Sequence, residues 1–407
     1  MKIYLVGGAV RDQLLGLDPK DNDWVVVGAS QKEMLAQGYS QVGADFPVFI
    51  HPSTKEEFAL ARTERKNGKG YQGFECESSP DITLEEDLLR RDLTINAMAL
   101  SADHELIDPF HGQQDLDSKT LRHVSPAFSE DPLRVLRVAR FAARYFHLGF
   151  TIAKETRMLM SSMVSNGELE HLVSERVWQE TSRALTEPSP WVFFETLREV
   201  NCLEVLFPEL DALFGIPQPE QHHPEIDCGI HALLTLKQAC ATSENPLIRF
   251  ASLTHDLGKA QTDKANWPRH HGHENKGLKP IKQMCDRLRI PNEFRDLALL
   301  VCEYHTHIHR AEELKSSTIL KTLKNCDAFR RPERFKDILT CSKADSRGRT
   351  GYEHIDYPQA NFFLSALDAA ISVNIKTIIN AGFEGKEIGI QLDKARVAEI
   401  QKLRSKD

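Results

Sequence analysis

Two aspartates separated by one residue, Asp21-Asn22-Asp23, stand directly before the apolar run Trp24-Val25-Val26-Val27. On an extended strand, residues two apart point to one face, so both carboxylates can serve one metal cluster. Hard oxygen ligands of this kind suit Mg²⁺, which stabilises attacking and leaving oxygens in phosphoryl and nucleotidyl transfer. A solvated turn would have a similar composition, but the run that follows anchors the pair to a buried strand. Upstream, Leu5-Val6-Gly7-Gly8-Ala9-Val10-Arg11-Asp12 reads as strand, glycine turn and helix start. Gly7 and Gly8 let backbone N–H groups approach an anion, and Arg11 offers phosphate a fork of donors. Any strand-to-helix turn needs glycine, so this piece alone decides little. Arg90-Arg91-Asp92-Leu93-Thr94-Ile95-Asn96-Ala97 opens an amphipathic segment with paired arginines. They suit phosphate, and equally a surface salt bridge.

A further group of arginines follows Glu130-Asp131-Pro132-Leu133, which opens a helix with acidic residues ahead of Pro in the first turn. Arg134, Arg137, Arg140 and Arg144 recur at spacings of three, three and four, on one helix face. No acidic residue stands at i+4 to neutralise them, so the face calls for phosphates or a base edge; a solvated basic face is the alternative. Cytosine and adenine each present an amino donor beside a ring-nitrogen acceptor, whereas uracil and guanine present a carbonyl beside an N–H. An aspartate near an arginine matches the first pair and leaves unpaired groups against the second. Asp131 and Arg134, at i and i+3, are the pair expected to make that choice.

A third constellation lies between residues 222 and 345: His231, the doublet His255-Asp256, then His271, His273, His305 and Asp345. Imidazoles and carboxylates gathered from several helices form a borderline-metal site, suited to Mn, Ni, Co, Fe or Zn.

These residues need elements to hold them. Residues 3–6, 23–27, 46–51 and 57–61 are short β-rich runs. Residues 63–79 are polar and contain Asn67, Gly68, Lys69 and Gly70, which predicts a mobile loop. Beyond about residue 126 the pattern is helical, with helices expected over 132–145, 153–163, 174–185 and 190–200. A Pro-rich joint, 215–224, precedes the His-rich segment, and a last helical stretch over 358–380 leads to a charged terminus.

The chain of 407 residues has room for several domains. No apolar run is expected to reach the roughly 20 residues of a membrane span, and 3–10 reads as a first strand rather than a signal segment. Eight cysteines show no CxxC spacing, against both a zinc knuckle and a disulfide framework, which points to a reducing cytoplasm. A net charge of −8 does not advertise nucleic-acid binding, so an RNA partner would have to meet local basic surfaces.

The motifs Gly7-Gly8-x-x-Arg11-Asp12, Asp21-x-Asp23-Trp24, Arg90-Arg91-Asp92-x-Thr94-x-Asn96-Ala97 and Glu130-Asp131-x-x-Arg134-x-x-Arg137-x-x-Arg140-Phe141 occur in order over the first 200 or so residues. Together they resemble bacterial tRNA nucleotidyltransferases, the CCA-adding enzymes of the group that also contains bacterial poly(A) polymerases. The resemblance implies that Asp21 and Asp23 hold Mg²⁺ and that Gly8, Arg11, Arg91, Arg137 and Arg140 contact the incoming triphosphate. It also implies that the loop after Arg62-Thr63-Glu64 is the element linked to switching from C to A. His231, His255, Asp256 and Asp345 resemble the H…HD…D pattern of HD phosphohydrolases, with His273 and His305 similar to extra ligands of some members. An HD domain behind such a head is the arrangement of multifunctional bacterial CCA enzymes. For the HD domain it implies 2′,3′-cyclic phosphodiesterase, 2′-nucleotidase and phosphatase activity, with Ni²⁺ the favoured metal in vitro.

The expected fold is therefore α+β: a small nucleotidyltransferase α/β head with a mixed sheet (1–122), a helical neck and body (123–221), an all-α HD domain (222–350) and a helical tail (351–407). The expected function is template-independent addition of CCA to tRNA from CTP and ATP, with metal-dependent hydrolysis in the HD domain. Asp21, Asp23, His255 and Asp256 would be catalytic. The expected partners are tRNA, CTP and ATP, without a membrane, in a monomer or weak homodimer. Arg176, Arg183 and Lys69 are candidate tRNA contacts with no advantage over other surface cations. A poly(A) polymerase, a phosphohydrolase with a relic RNA-binding head, and a non-enzymatic tRNA-binding protein are the rival readings.

Overall fold

The computed structural model describes residues 1–19, 21–43, 47–66 and 74–404. The chain divides into two compact units, Met1–Leu206 and Phe207–Asp407.

The first unit begins with β1 (Lys2–Val6) and α1 (Gly8–Leu14), then β2 (Asp23–Val27), α2 (Gln31–Ala36), β3 (Ser40–Val42), β4 (Val48–Ile50) and β5 (Glu57–Leu60). After β6 (Arg62–Lys66) and β7 (Phe74–Ser78) come α3 (Leu84–Leu89), β8 (Ala99–Leu100), β9 (Leu106–Ile107) and α4 (Gly112–Asp117). Seven strands form one mixed sheet in the order β3-β4-β5-β2-β1-β8-β9, in which only β2 and β5 run parallel. The valines of β2 alternate between its faces, as strand geometry requires. Val25 packs with Val6, Leu88 and Ala97 on one side, and Val26 with Met34, Phe49 and Phe58 on the other. Ser30 and Thr83 start α2 and α3 with reciprocal capping boxes to Glu33 and Glu86.

Where a loop is expected over 63–79, the chain forms an antiparallel ribbon, with Arg62 opposite Ser78 and Lys66 opposite Phe74. A two-stranded ribbon outside the main sheet imposes no hydrophobic alternation, so its polar sequence reads as loop. Its tip, with Asn67, Gly68, Lys69 and Gly70, lies outside the described residues, as does Phe46 of the expected 46–51 strand.

The helical part of this unit comprises α5 (Leu133–Tyr145), α6 (Lys154–Ser165), α7 (Ser174–Thr186), α8 (Pro190–Glu199) and α9 (Cys202–Leu206). α5 packs on α7 and α8. Val135, Leu136, Val138 and Ala139 are completely buried, while its arginines face elsewhere.

The second unit opens with α10 (Pro208–Asp211), which packs on α13 (His273–Arg287). The Pro-rich stretch 215–224 thus lies within this unit. α11 (Cys228–Thr242), α12 (Pro246–Thr254), α14 (Asn292–His309) and α16 (Pro332–Arg347) pack against one another, followed in space by α15 (Ser316–Asn325), α17 (Pro358–Ile371), α18 (Ile375–Asn380) and α19 (Lys386–Arg404). The apolar run is longer than expected: Pro358–Asn380 reaches a mean hydropathy of 1.5 and could span a membrane by length and composition. It is nevertheless broken, because Asn374 caps α18 through its side chain. α17 buries Phe363, Ala366, Leu367 and Ala370, packing on α14, α15, α16 and α19.

Candidate functional site

The register of β1 against β2 sets the first site. Val6 pairs with Asp23, so the glycine turn that follows Val6 and the carboxylate that opens β2 share one end of the sheet. Gly7 has φ 69°, a conformation that favours glycine, and a Cβ there would lie 2.6 Å from Arg91 Nη1 and push that side chain aside. The turn opens on a cavity of about 530 Å³ lined by Gly8, Arg11, Asp23, Arg91, Asp131, Arg134, Arg137, Arg140 and Arg176, among others. Every nucleotide-binding residue expected from the sequence therefore meets here. Asp21 sits in a bend two residues before β2 begins, not on the strand. It is still close enough to act on Asp23: partial desolvation lifts the Asp23 carboxyl above its ordinary value and the Asp21 charge adds to this, while Arg91 pulls the other way. A carboxylate whose proton affinity is raised by a second carboxylate beside it belongs to a donor set that fits a hard cation.

The arginines are more engaged than the sequence suggests. Arg11 is buried, donates to Asn96 Oδ1 at 2.5 Å and to Asp12 Oδ1 at 2.9 Å, and stacks near Phe141 and Tyr145. Asp12 also accepts from Tyr145 (3.1 Å) and Arg144 (3.2 Å), tying α1 to α5. Arg90 and Arg91 share the buried Asp87. The α5 arginines, which meet no acid at i+4 on their own helix, find acids on other elements: Arg137 meets Asp92 at 2.7 Å, and Arg140 meets Glu180 at 2.7 Å and Glu187 at 3.4 Å. The Asp92 carboxyl is held well below the usual range, because Arg137 and Asn96 outweigh its burial. Asp131 and Arg134, expected to face one base edge together, each have partners within the protein. Arg134 donates to the carbonyls of Ala127 (2.7 Å) and Arg90 (2.5 Å), and Asp131 Oδ2 accepts from Arg176 at 3.1 Å. Arg183 pairs with Glu180 at 3.5 Å.

The second site is built where five helices of the second unit converge. His231 lies on α11, His255 and Asp256 at the end of α12, His273 at the start of α13, His305 on α14 and Asp345 on α16. All six are brought together; His271 is exposed and outside the cluster. His231 Nε2 lies 3.0 Å from Asp345 Oδ1, His255 Nε2 3.1 Å from Asp256 Oδ2, and His273 Nε2 3.3 Å from Asp256 Oδ1. The four imidazoles share one arrangement: Nδ1 of each faces a main-chain carbonyl, those of Gly348, Ser252, His270 and Val301. Nδ1–H donation there leaves every Nε2 lone pair turned inward, the tautomer a metal ligand needs. Among the described residues, and despite these close approaches, buried His255 Nε2 and Asp256 Oδ1 find no partner with hydrogen-bond geometry. Orphaned atoms of this kind at the centre of a His–Asp cluster fit a divalent metal. Burial pulls His255 down, but the Asp256 and Asp345 carboxylates outweigh it and raise it to about 10, a proton drawn to where a cation fits.

Several neighbours have no counterpart in the sequence reading. Lys259 reaches Asp256 at 2.6 Å, Glu225 bridges His231 and His223 at 3.0 Å each, and His309 meets Asp345 at 2.7 Å and the Tyr357 hydroxyl at 2.8 Å. Only Lys259 carries a sequence signal, three residues after Asp256 on a turn too tight for other side chains. A Cβ at Gly258 would run into the His273 carbonyl. A second cavity of about 330 Å³ opens over this cluster, walled by His223, Lys259, His309, Arg349 and Tyr357.

The poly A polymerase head domain family matches residues 3–122, the family described as probable RNA and SrmB-binding site of polymerase A matches 149–214, and the HD domain family matches 229–331. The multifunctional CCA protein of Hahella chejuensis is 55% identical over 404 residues, 99% of this chain and 96% of the relative. This chain belongs to the multifunctional CCA protein family. The family member from Teredinibacter turnerae is 57% identical, covering 100% of this chain and 98% of its own. Among solved structures, a CCA-adding enzyme in complex with CTP matches 98% of this chain and 87% of its own at TM-score 0.65 and 21% identity. Thermotoga maritima CCA-adding enzyme complexed with tRNA matches 98% and 87% at TM-score 0.64 and 20% identity. At that identity these two speak for the fold of the family.

Proposed function

We propose that the chain completes tRNA 3′ ends by adding C, C and A from CTP and ATP without a nucleic-acid template, and that its HD domain hydrolyses phosphate esters at such ends. The observation that carries the first half is the convergence of Asp23, with Asp21 beside it, and nine arginines on one cavity at the end of the sheet. Asp21 and Asp23 would hold Mg²⁺, which supplies polarisation of the RNA 3′-hydroxyl and shielding of the phosphates. Arg91 and Arg137 sit where charge develops on the triphosphate, and Asp87 and Asp92 fix their guanidinium groups in advance. Pyrophosphate leaves as the 3′-oxygen attacks the α-phosphate. Asp131 and Arg134 select the base edge, Asp131 accepting from the amino group of C or A.

In the second site His231, His255, Asp256 and Asp345 would hold a divalent transition metal, Ni²⁺ by our expectation, with His273 and His305 as further ligands. That metal supplies a nucleophilic water at neutral pH. Lys259 and Arg349, at the cavity wall, orient a phosphate ester toward the cluster. Terminal 2′,3′-cyclic phosphates, 2′-phosphates and phosphomonoesters are the proposed substrates, since each blocks extension. The tRNA-binding surface, the cytoplasmic location and a monomer or weak dimer belong to the same reading.

Incubation of the protein and Mg²⁺ with tRNA lacking CCA tests it, with each triphosphate offered alone and then CTP with ATP. Addition of three nucleotides followed by arrest supports the proposal. A long A tract from ATP alone would make the chain a poly(A) polymerase, and no extension would leave only the hydrolase.

A further inference from the structure

Base selection needs an acceptor and a donor held in fixed relation, and the two halves of the proposed pair are held very differently. Arg134 is 8% exposed, and two of its nitrogens are bound to main-chain carbonyls, so its position is set by the backbone of the turn ahead of α5, at Ala127, and of Arg90 just after α3. Asp131 lies ahead of α5 in extended backbone, φ −114° and ψ 104°, with no helical restraint on its side chain. Its Oδ1 accepts from the Leu133 amide at 3.1 Å. That bond ties one oxygen of the carboxylate to the start of α5. The second oxygen is fixed from a different helix: Arg176, in the first turn of α7, donates from Nη2 to Oδ2 at 3.1 Å. Arg176 lines the same cavity as Asp131 and Arg134.

We infer that Arg176 is a specificity-determining residue of the nucleotide site, which positions the Asp131 carboxylate so that it accepts only from a base bearing an amino group. The inference rests on the reading of the first site as a nucleotide-adding one. Each carboxylate oxygen has two lone pairs, so Oδ2 can keep Arg176 while it accepts an N–H of cytosine or adenine. A uracil or guanine carbonyl in that place would face a carboxylate oxygen that cannot rotate away. Without Arg176 the carboxylate can swing aside, and the penalty against the wrong base falls. Glu180, further along α7, anchors Arg140. α7 therefore holds Asp131 ahead of α5 and Arg140 on its arginine face, although its sequence carries none of the motif residues quoted above.

The test compares wild type, Arg176→Ala and Arg176→Lys in single-turnover addition to tRNA lacking CCA, with CTP and UTP and, at the third position, ATP and GTP. Melting curves are recorded in parallel. Arg176→Ala should raise the ratio of UTP to CTP kcat/KM, and of GTP to ATP, by about tenfold or more. Arg176→Lys, which keeps one charged donor, should recover part of the discrimination. An unchanged ratio in Arg176→Ala overturns the inference. So does an equal fall of KM for all four nucleotides, which would make Arg176 a competitor for Asp131 and no more. If Arg176→Ala does not fold, the Lys variant decides, since a mere scaffold role predicts wild-type ratios once folding is restored. A wild type that adds no CCA removes both this inference and the function beneath it. A wild type that adds CCA beside an unchanged ratio in Arg176→Ala removes only the inference.

Discussion

Replacing the Asp92 carboxylate by the amide of asparagine changes one buried oxygen and nothing in volume. Asp92 is 6% exposed; its Oδ1 accepts from the Leu93 amide and Asn96 Nδ2 at 2.9 Å each, and its Oδ2 from Arg137 Nε at 2.8 Å. In Asp92→Asn the Oδ1 bonds can persist, but an NH₂ faces the N–H groups of Arg137, and the guanidinium loses its counter-charge. Removing one partner of a buried pair costs about 3–5 kcal/mol. The Arg137 side chain keeps 34% of its surface in water, so screening reduces the expected loss to about 2–3 kcal/mol. For a unit of about 200 residues that corresponds to a fall of about 4–12 °C in Tm. Nucleotide addition should fall by about tenfold or more, the equivalent of roughly 1.4 kcal/mol, because Arg137 loses its orientation. The acid dependence follows from the depressed carboxyl of Asp92. A carboxyl lower in the folded than in the unfolded chain adds stability that is complete above the ordinary Asp value of about 3.9 and is lost as pH falls through the folded value. The gap between wild type and variant should therefore be full at about pH 7, persist at about pH 5, and shrink only below about pH 4. Calorimetry across that range, with single-turnover kinetics, reads all three. A Tm within about 1 °C of wild type at neutral pH, or a gap already closed at about pH 6, would refute the reasoning.

The two sites should fail separately: Asp21→Ala should abolish nucleotide addition and leave phosphoesterase activity, and Asp256→Ala should do the reverse. Joint loss in either variant, with an unchanged melting curve, would contradict two independent sites. Glu225→Ala removes the carboxylate beside His231 Nδ1 and should weaken metal binding at the second site about 10–100-fold, read by isothermal titration; Glu225→Gln should lose less. Gly258→Ala would press a methyl group into the His273 carbonyl and to within 2.5 Å of the Gly277 amide. It should displace α13, weaken metal binding and lower Tm; wild-type metal affinity in this variant would show that the close packing of α13 does not set the site.

Much of this protein is legible in its residues. The glycine turn, the Asp21-Asn22-Asp23 pair and the spacing of arginines on α5 are local patterns, and local patterns survive in sequence because strand and helix periods are fixed by the backbone. The His and Asp ligands are legible for a different reason, since residue type alone restricts which groups can bind a borderline metal. The β6–β7 ribbon reads as loop, because its polar, glycine-bearing sequence lacks the apolar alternation that marks a strand. The break of Pro358–Asn380 into α17 and α18 is hidden in the sequence, since Asn374 is a cap only once the chain has turned.

What the sequence determined by itself is which elements form and which chemical groups they carry. What only the tertiary structure decided is the company those groups keep. Arg137 reads as an unpartnered cation until Asp92, 45 residues earlier, is placed 2.8 Å away. Asp131 reads as the partner of Arg134 until α7 presents Arg176 to it. Glu225 and His309 read as ordinary surface residues until α11 and α16 bring His231 and Asp345 beside them. The reason is that charge pairing falls off within a few ångströms while the residues that pair lie tens of positions apart. Spacing along one helix or strand can therefore name a ligand, but it cannot name the residue from another element that fixes its proton, its charge or its direction.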